Sequence, residues 1–259
     1  MYKKLPIIIH LPHSATFIPP EMRSEILIDD AALQEEILRV TDHYTDELFG
    51  HTEFTYIINP YSRLVYDPER FRDDAKERMS LFGLGAIYQK TSQGEILRNL
   101  SQERKEQILQ ELYDPHHQLL EEKVQGFLDI YGSCLIIDAH SFNSNGDYGD
   151  TKENLPSICI GTDGYHTPTT LEEFVLEFFS KKQQLFTKIN YPYSGSLVPI
   201  KFYEKDKRVS TIMIEINRNI YMDETTGEKS KSFESLQKII QKFIFSLDEW
   251  FLAREGENL

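Results

Sequence analysis

Three reactive side chains fall where apolar runs close. His13 follows the run Leu5–Ile9, His140 follows Leu135-Ile136-Ile137, and Glu215 lies near the end of Thr211–Ile216. In open α/β sheets, sites form in the crevice beyond the carboxyl ends of the strands, so residues distant in sequence can converge there. Two imidazoles, a carboxylate and a vacant position are what a catalytic zinc needs. Neutral imidazole nitrogens bind the ion at about 2.0–2.1 Å, and a water in the vacant position has its pKa lowered towards ~7. A histidine after a strand serves a turn or a packed core just as readily. No His-Glu-x-x-His or other local zinc pattern breaks the tie. On the residues alone, both readings stand.

A second set points to anion recognition. Ser62-Arg63-Leu64-Val65-Tyr66-Asp67-Pro68-Glu69-Arg70 follows the second apolar run, and Glu215-Ile216-Asn217-Arg218 closes a later one. Arg63 and Arg218 would offer planar forks suited to a carboxylate. The competing reading pairs each arginine with a nearby acid, since 42 acidic residues face 28 basic ones.

These side chains need a frame. Leu5–Ile9, Phe54–Ile58, Cys134–Ile137, Ser157–Ile160, Lys188–Asn190 and Thr211–Ile216 read as strands, several of them β-branched and apolar throughout, as in a sheet buried on both faces. Between them the pattern predicts one helix from Ile28–Asp30 to about Leu48, capped by Asp29 or Asp30. Further helices are expected over Glu95–Tyr131 with a break at Asp114-Pro115, over Leu171–Phe186, and over Ser232–Arg254. Residues 62–94 show no long periodicity and form a loop-rich segment of the kind that builds sites. The expected fold is α/β, one domain over residues 1–259, with a mixed, mostly parallel sheet flanked by helices.

Composition narrows the function. With 259 residues the chain buries a core large enough to need no metal or disulfide for folding, so a metal set would be catalytic. A net charge of −14 argues against a nucleic-acid partner. Cys134 and Cys159, each in an apolar run, fit buried thiols in a reducing cytoplasm. The start, Met1–Ser14, reads as a first strand with no cleavable leader, and no stretch suits a membrane.

Joint order is more telling than any one block. His10-Leu-Pro-His-Ser14, Thr41-Asp-His-Tyr-Thr-Asp-Glu-Leu-Phe49, Ser62-Arg-Leu-Val-Tyr-Asp67, Tyr113-Asp-Pro-His-His117, Asp138-Ala-His-Ser141, Ile158-Cys-Ile-Gly-Thr-Asp163, Tyr191-Pro-Tyr-Ser-Gly-Ser-Leu-Val-Pro199 and Ile214-Glu-Ile-Asn-Arg218 resemble the N-formylglutamate amidohydrolase family. The resemblance runs from about Leu5 to Asp223. It implies a phosphorylase/hydrolase-like fold related to zinc carboxypeptidases, and hydrolysis of the amide of an N-formyl or N-acyl amino acid. In the family, that reaction releases formate and glutamate at the end of histidine degradation.

Carried over position by position, the resemblance makes His13 and His140 metal ligands, with Asp42 third and Asp46, one turn along the same helix face, its alternative. The metal would be zinc, or another divalent ion in its place. Glu215 matches the catalytic glutamate, and His117 a recurrent histidine that would stabilise the oxyanion or cap and pack a helix. Arg63, Arg218, Asp67 and Arg70 would bind the substrate, a small anionic amino-acid derivative. Asp138 and Ser141 would support His140. One departure concerns Asp67-Pro68-Glu69-Arg70, where many relatives read Asp-x-Asn-Arg; an inward Glu69 would weaken recognition of a dicarboxylate. Other readings are a peptide or cell-wall amidase, a serine hydrolase using Ser14 or Ser141, and a non-catalytic sensor of an acylated amino acid. Oligomeric state is left open.

Overall fold

The apolar runs become six strands: β1 (Ile7–Leu11), β2 (Thr55–Ile58), β3 (Cys134–Phe142), β4 (Ile158–Gly161), β5 (Thr187–Ile189) and β6 (Val209–Asn217). They come from a computed structural model that describes residues 5–50, 54–144 and 154–257. Lys3 and Lys4, the basic start of the chain, lie outside the described residues. The strand order is β2-β1-β3-β6-β4-β5. β1 with β3, β3 with β6, and β4 with β5 are parallel, whereas β4 runs antiparallel to β6. This is the mixed, mostly parallel sheet expected, and β1, β3 and β6 are buried along their whole lengths.

The helices are α1 (Pro20–Arg23), α2 (Asp30–Val40), α3 (Thr45–Phe49), α4 (Gln102–Ile108), α5 (Asp114–Tyr131), α6 (Thr169–Leu176) and α7 (Phe233–Glu257). In α7, Phe233, Leu236, Ile240, Phe243 and Leu247 recur every three or four residues and are all buried. The break expected at Asp114-Pro115 is a π-helical turn over Leu109–Tyr113 that links α4 to α5. There the Asp114 N–H bonds to Leu109 O, five residues back. A wider turn of this kind accommodates a proline ring that the ordinary register would crowd.

The chain divides into two compact units. One comprises Met1–His10, Tyr44–Tyr56 and Lys123–Leu259 and carries most of the sheet, with α3 on β3 and α7, and α6 on β4 and α7. The other comprises Leu11–His43 and Ile57–Glu122. Its two small cores gather Met22, Val65, Tyr66, Ile87, Ile108 and Tyr113, and Leu33, Ile37, Leu64, Tyr88 and Leu97.

Two expectations need correction. The single helix from residue 28 to 48 is two. Asp29 caps α2 by accepting from Ala32 N, but Thr41 is extended and Tyr44 is left-handed, at φ 65°. The Asp42 N–H bonds to His13 O (2.9 Å) in place of a helical carbonyl. Asp42 and Asp46 therefore share no helix face: Asp42 is buried, and Asp46 is exposed on α3. Second, β3 does not end at Ile137 but continues to Phe142, because β6 pairs with it as far as Asn217. His140 and Glu215 thus lie within strands, towards their carboxyl ends.

Candidate active site

Strand register assembles one group of site residues. Between β3 and β6, Asp138 pairs with Met213 and His140 with Glu215; between β1 and β3, His10 pairs with Asp138. Side chains two apart on a strand share a face, so His10, Asp138, His140 and Glu215 all project from the same side of the sheet. All four are buried, Glu215 being 7% exposed.

Asp138 is the hub of this group. His10 Nδ1–H donates to its Oδ1 at 3.0 Å, His140 Nε2 lies 3.2 Å from the same oxygen, and Leu197 N donates to Oδ2 at 2.9 Å. Burial pushes the carboxyl towards its neutral form, but His140 and His10 outweigh that and hold it well below the usual range. Asp138 thus stands beside His140, the residue the sequence expects it to support. Ser141 plays a different part: its Oγ accepts from Arg218 Nε (3.0 Å) and its carbonyl from Arg218 Nη2 (3.3 Å). Arg218 is accordingly buried, held by the strand end it was expected to lie beside.

The second unit organises its residues around Asp67, which is fully buried. Its Oδ1 accepts from His13 Nε2 at 2.8 Å and from Glu69 N at 3.0 Å. Its Oδ2 accepts from Arg63 Nη2 (2.6 Å), Arg63 Nε (3.2 Å) and the Tyr88 hydroxyl (2.9 Å). Burial again raises the pKa, yet Arg63 and His13 bring it well below the usual range. His13 therefore carries its proton on Nε2, and Nδ1 faces Asp42 Oδ2 at 3.6 Å. Two ligand atoms on one tetrahedral zinc stand about 3.3 Å apart. The His13–Asp42 pair has the spacing and chemistry of two metal ligands, with Asp67 as the carboxylate that fixes the histidine tautomer. A Glu69 carboxylate oxygen also lies within 4.8 Å of a His13 ring nitrogen, a further donor of the same type.

The structure thus brings His13, Asp42, Asp67, Arg63 and Arg70 together in one unit, and Asp138, His140, Ser141, Glu215 and Arg218 in the other. Arg63 follows the competing reading, since its guanidinium edge is committed to Asp67. Arg70 differs. Its Nε is 3.7 Å from Asp67 Oδ2, and among the described residues its guanidinium makes no hydrogen bond, which leaves its fork for an incoming anion. His117 Nε2–H donates to Pro68 O (2.8 Å) while the ring packs on Tyr113, so it braces the loop bearing Asp67.

Three participants escaped the sequence reading: His10, Tyr88 and Arg98. His10 opens a recognised block, but its place inside an apolar strand hid it. Tyr88 belongs to the aperiodic region, and Arg98 to a stretch expected to be helical that precedes α4, which starts only at Gln102; in neither place does a local pattern mark a contact made across ten or more residues.

The fold and these residues define an α/β protein whose buried histidines are braced by ionised carboxylates, the group types that bind divalent metals. The N-formylglutamate amidohydrolase family matches residues 5–222, and the chain belongs to that family. It is an enzyme of the hydrolase class acting on a linear amide. An N-formylglutamate deformylase of Pseudomonas aeruginosa is 24% identical over 259 residues, covering 95% of this chain and 94% of its own. One from Pseudomonas putida is 23% identical over 262 residues, covering 97% and 95%. The crystal structure of an N-formylglutamate amidohydrolase from Ralstonia eutropha superposes with a TM-score of 0.83 at 22% identity, covering 98% of this chain and 96% of that one.

Proposed function

We propose that this chain hydrolyses the amide of an N-formyl amino acid, with N-formyl-L-glutamate the leading substrate, and that a divalent metal, zinc first, is required. The observation that carries this is the family match across residues 5–222, joined by relatives of nearly equal length named for that deformylation. The products would be formate and glutamate, as in the last step of histidine degradation, and the compartment the cytoplasm.

The residues proposed to hold the metal are His13, Asp42 and His140. When bound, such an ion polarises a carbonyl and makes a water more acidic. Glu215 accepts a proton from the attacking water and returns it to the departing amine nitrogen. Asp67 and Asp138 orient His13 and His140, as carboxylates behind metal-binding histidines do. Arg63, Arg70 and Arg218 fix the substrate carboxylates and so orient the scissile bond. His117 keeps the Pro68 carbonyl, and with it the Asp67 loop, in place.

The test is turnover on a panel of N-formyl, N-acetyl and peptidyl amino acids, read beside elemental analysis of protein purified without a polyhistidine tag. Formate release from N-formyl-L-glutamate that stops on chelation and returns with zinc is expected. Equal activity on a peptide would reassign the substrate, and activity indifferent to chelators would remove the metal.

A further inference from the structure

Resting on the reading in which Asp67 orients His13, we propose that Arg98 is the positioning residue that fixes Asp67. Arg98 is 1% exposed, and among the described residues no carboxylate lies within ion-pair distance of it. A buried cation with no anion is costly unless its donors are satisfied. Arg98 places its Nε and Nη2 donors on backbone carbonyls, while Nη1 is buried without a hydrogen-bond partner among the described residues. Its Nε donates to Tyr88 O (2.6 Å), and its Nη2 donates to Val65 O (3.1 Å) and to Leu64 O.

Those carbonyls belong to the two segments that meet at Asp67. Leu64 and Val65 stand three and two residues before it in the chain, and the Asp67 N–H itself donates to Ala86 O (2.8 Å), two residues before Tyr88. From the second segment the Tyr88 hydroxyl donates to Asp67 Oδ2. One rigid, planar side chain therefore ties both strands of the loop and, through them, aims the carboxylate that His13 meets. A lysine, with one compact ammonium, cannot span carbonyls on two segments in this way.

A purely structural arginine would cost stability whatever stands at position 67, whereas a positioning arginine acts through Asp67. The test is a double-mutant cycle on kcat/KM for N-formyl-L-glutamate. Arg98→Met and Arg98→Lys should each lower it about 10-fold or more in the wild-type background, the scale of losing support behind a ligand. In an Asp67→Asn background each should cost less than about 2-fold. Equal losses in both backgrounds would overturn the proposal. Nitrogen-15 histidine spectra of metal-free protein give a second readout: His13 protonated on Nε2 in the wild type, and a tautomer mixture in the Arg98 variants. An unchanged His13 signal would overturn it too. If the wild type hydrolyses no formyl amino acid, the hydrolase reading fails and the spectra still decide the role of Arg98. Should the methionine variant not fold, the lysine variant carries both measurements.

Discussion

His140 and Glu215 stand opposite each other in register on the parallel strands β3 and β6. The sheet itself, not a loop, sets their separation, so the proposed base keeps its place when its charge is removed. Glu215→Gln should retain full metal content and lose about 10²-fold or more in kcat, the scale for loss of a general base. Single-turnover kinetics beside elemental analysis will check this; near-normal turnover would take Glu215 out of the mechanism.

Asp138 offers one oxygen to His10 and His140 together and the other to Leu197 N. Asn at this position keeps the shape but has one acceptor oxygen, so it cannot accept from the imidazoles and from Leu197 N together. Asp138→Asn should weaken metal affinity or activity by about 10–100-fold. Competition with a chromophoric chelator measures the first. Unaltered affinity and turnover together would show that the His140 geometry is set elsewhere.

Cys134 and Cys159 are free thiols, 1% and 0% exposed. Burial raises the Cys134 pKa, and burial, with Glu215 adding to it, pushes that of Cys159 up to about 11. Thiolate is the reactive form, so at pH 8 the folded protein should consume no aromatic disulfide reagent and the denatured protein two equivalents. Prompt modification of the folded protein would contradict the burial.

Gly161 lies on β4 beside Met213. A Cβ added there would sit 2.3 Å from Gly195 O and 2.4 Å from Met213 Cε. Met213 can swing away, but the Gly195 carbonyl is backbone. Gly161→Ala should lower stability by about 1–3 kcal/mol, as overpacking does, measured by urea unfolding. An unchanged midpoint would mean that the Gly195 loop yields without cost.

Local chemistry made much of this protein legible in its sequence. The six strands came from apolar runs, the start of α2 from Asp29, and the site residues from ordered blocks such as Asp138-Ala-His-Ser141. What the sequence could not give was any relation that depends on chain segments meeting. Asp42 and Asp46 are four residues apart and look equivalent on a helix, until the His13 carbonyl captures the Asp42 N–H and breaks that helix. Asp138 and His140 seemed to lie past a strand because their polarity suggested an end; pairing with β6 carries the strand through them. Arg63 and Arg70 have the same charge and flank the same aspartate in sequence, yet only the folded loop hydrogen-bonds the first to Asp67 and leaves the second at a looser 3.7 Å from it. Residue type and periodicity are properties of one stretch of chain, whereas partner choice among buried charges is settled by which groups tertiary packing places within a few ångströms.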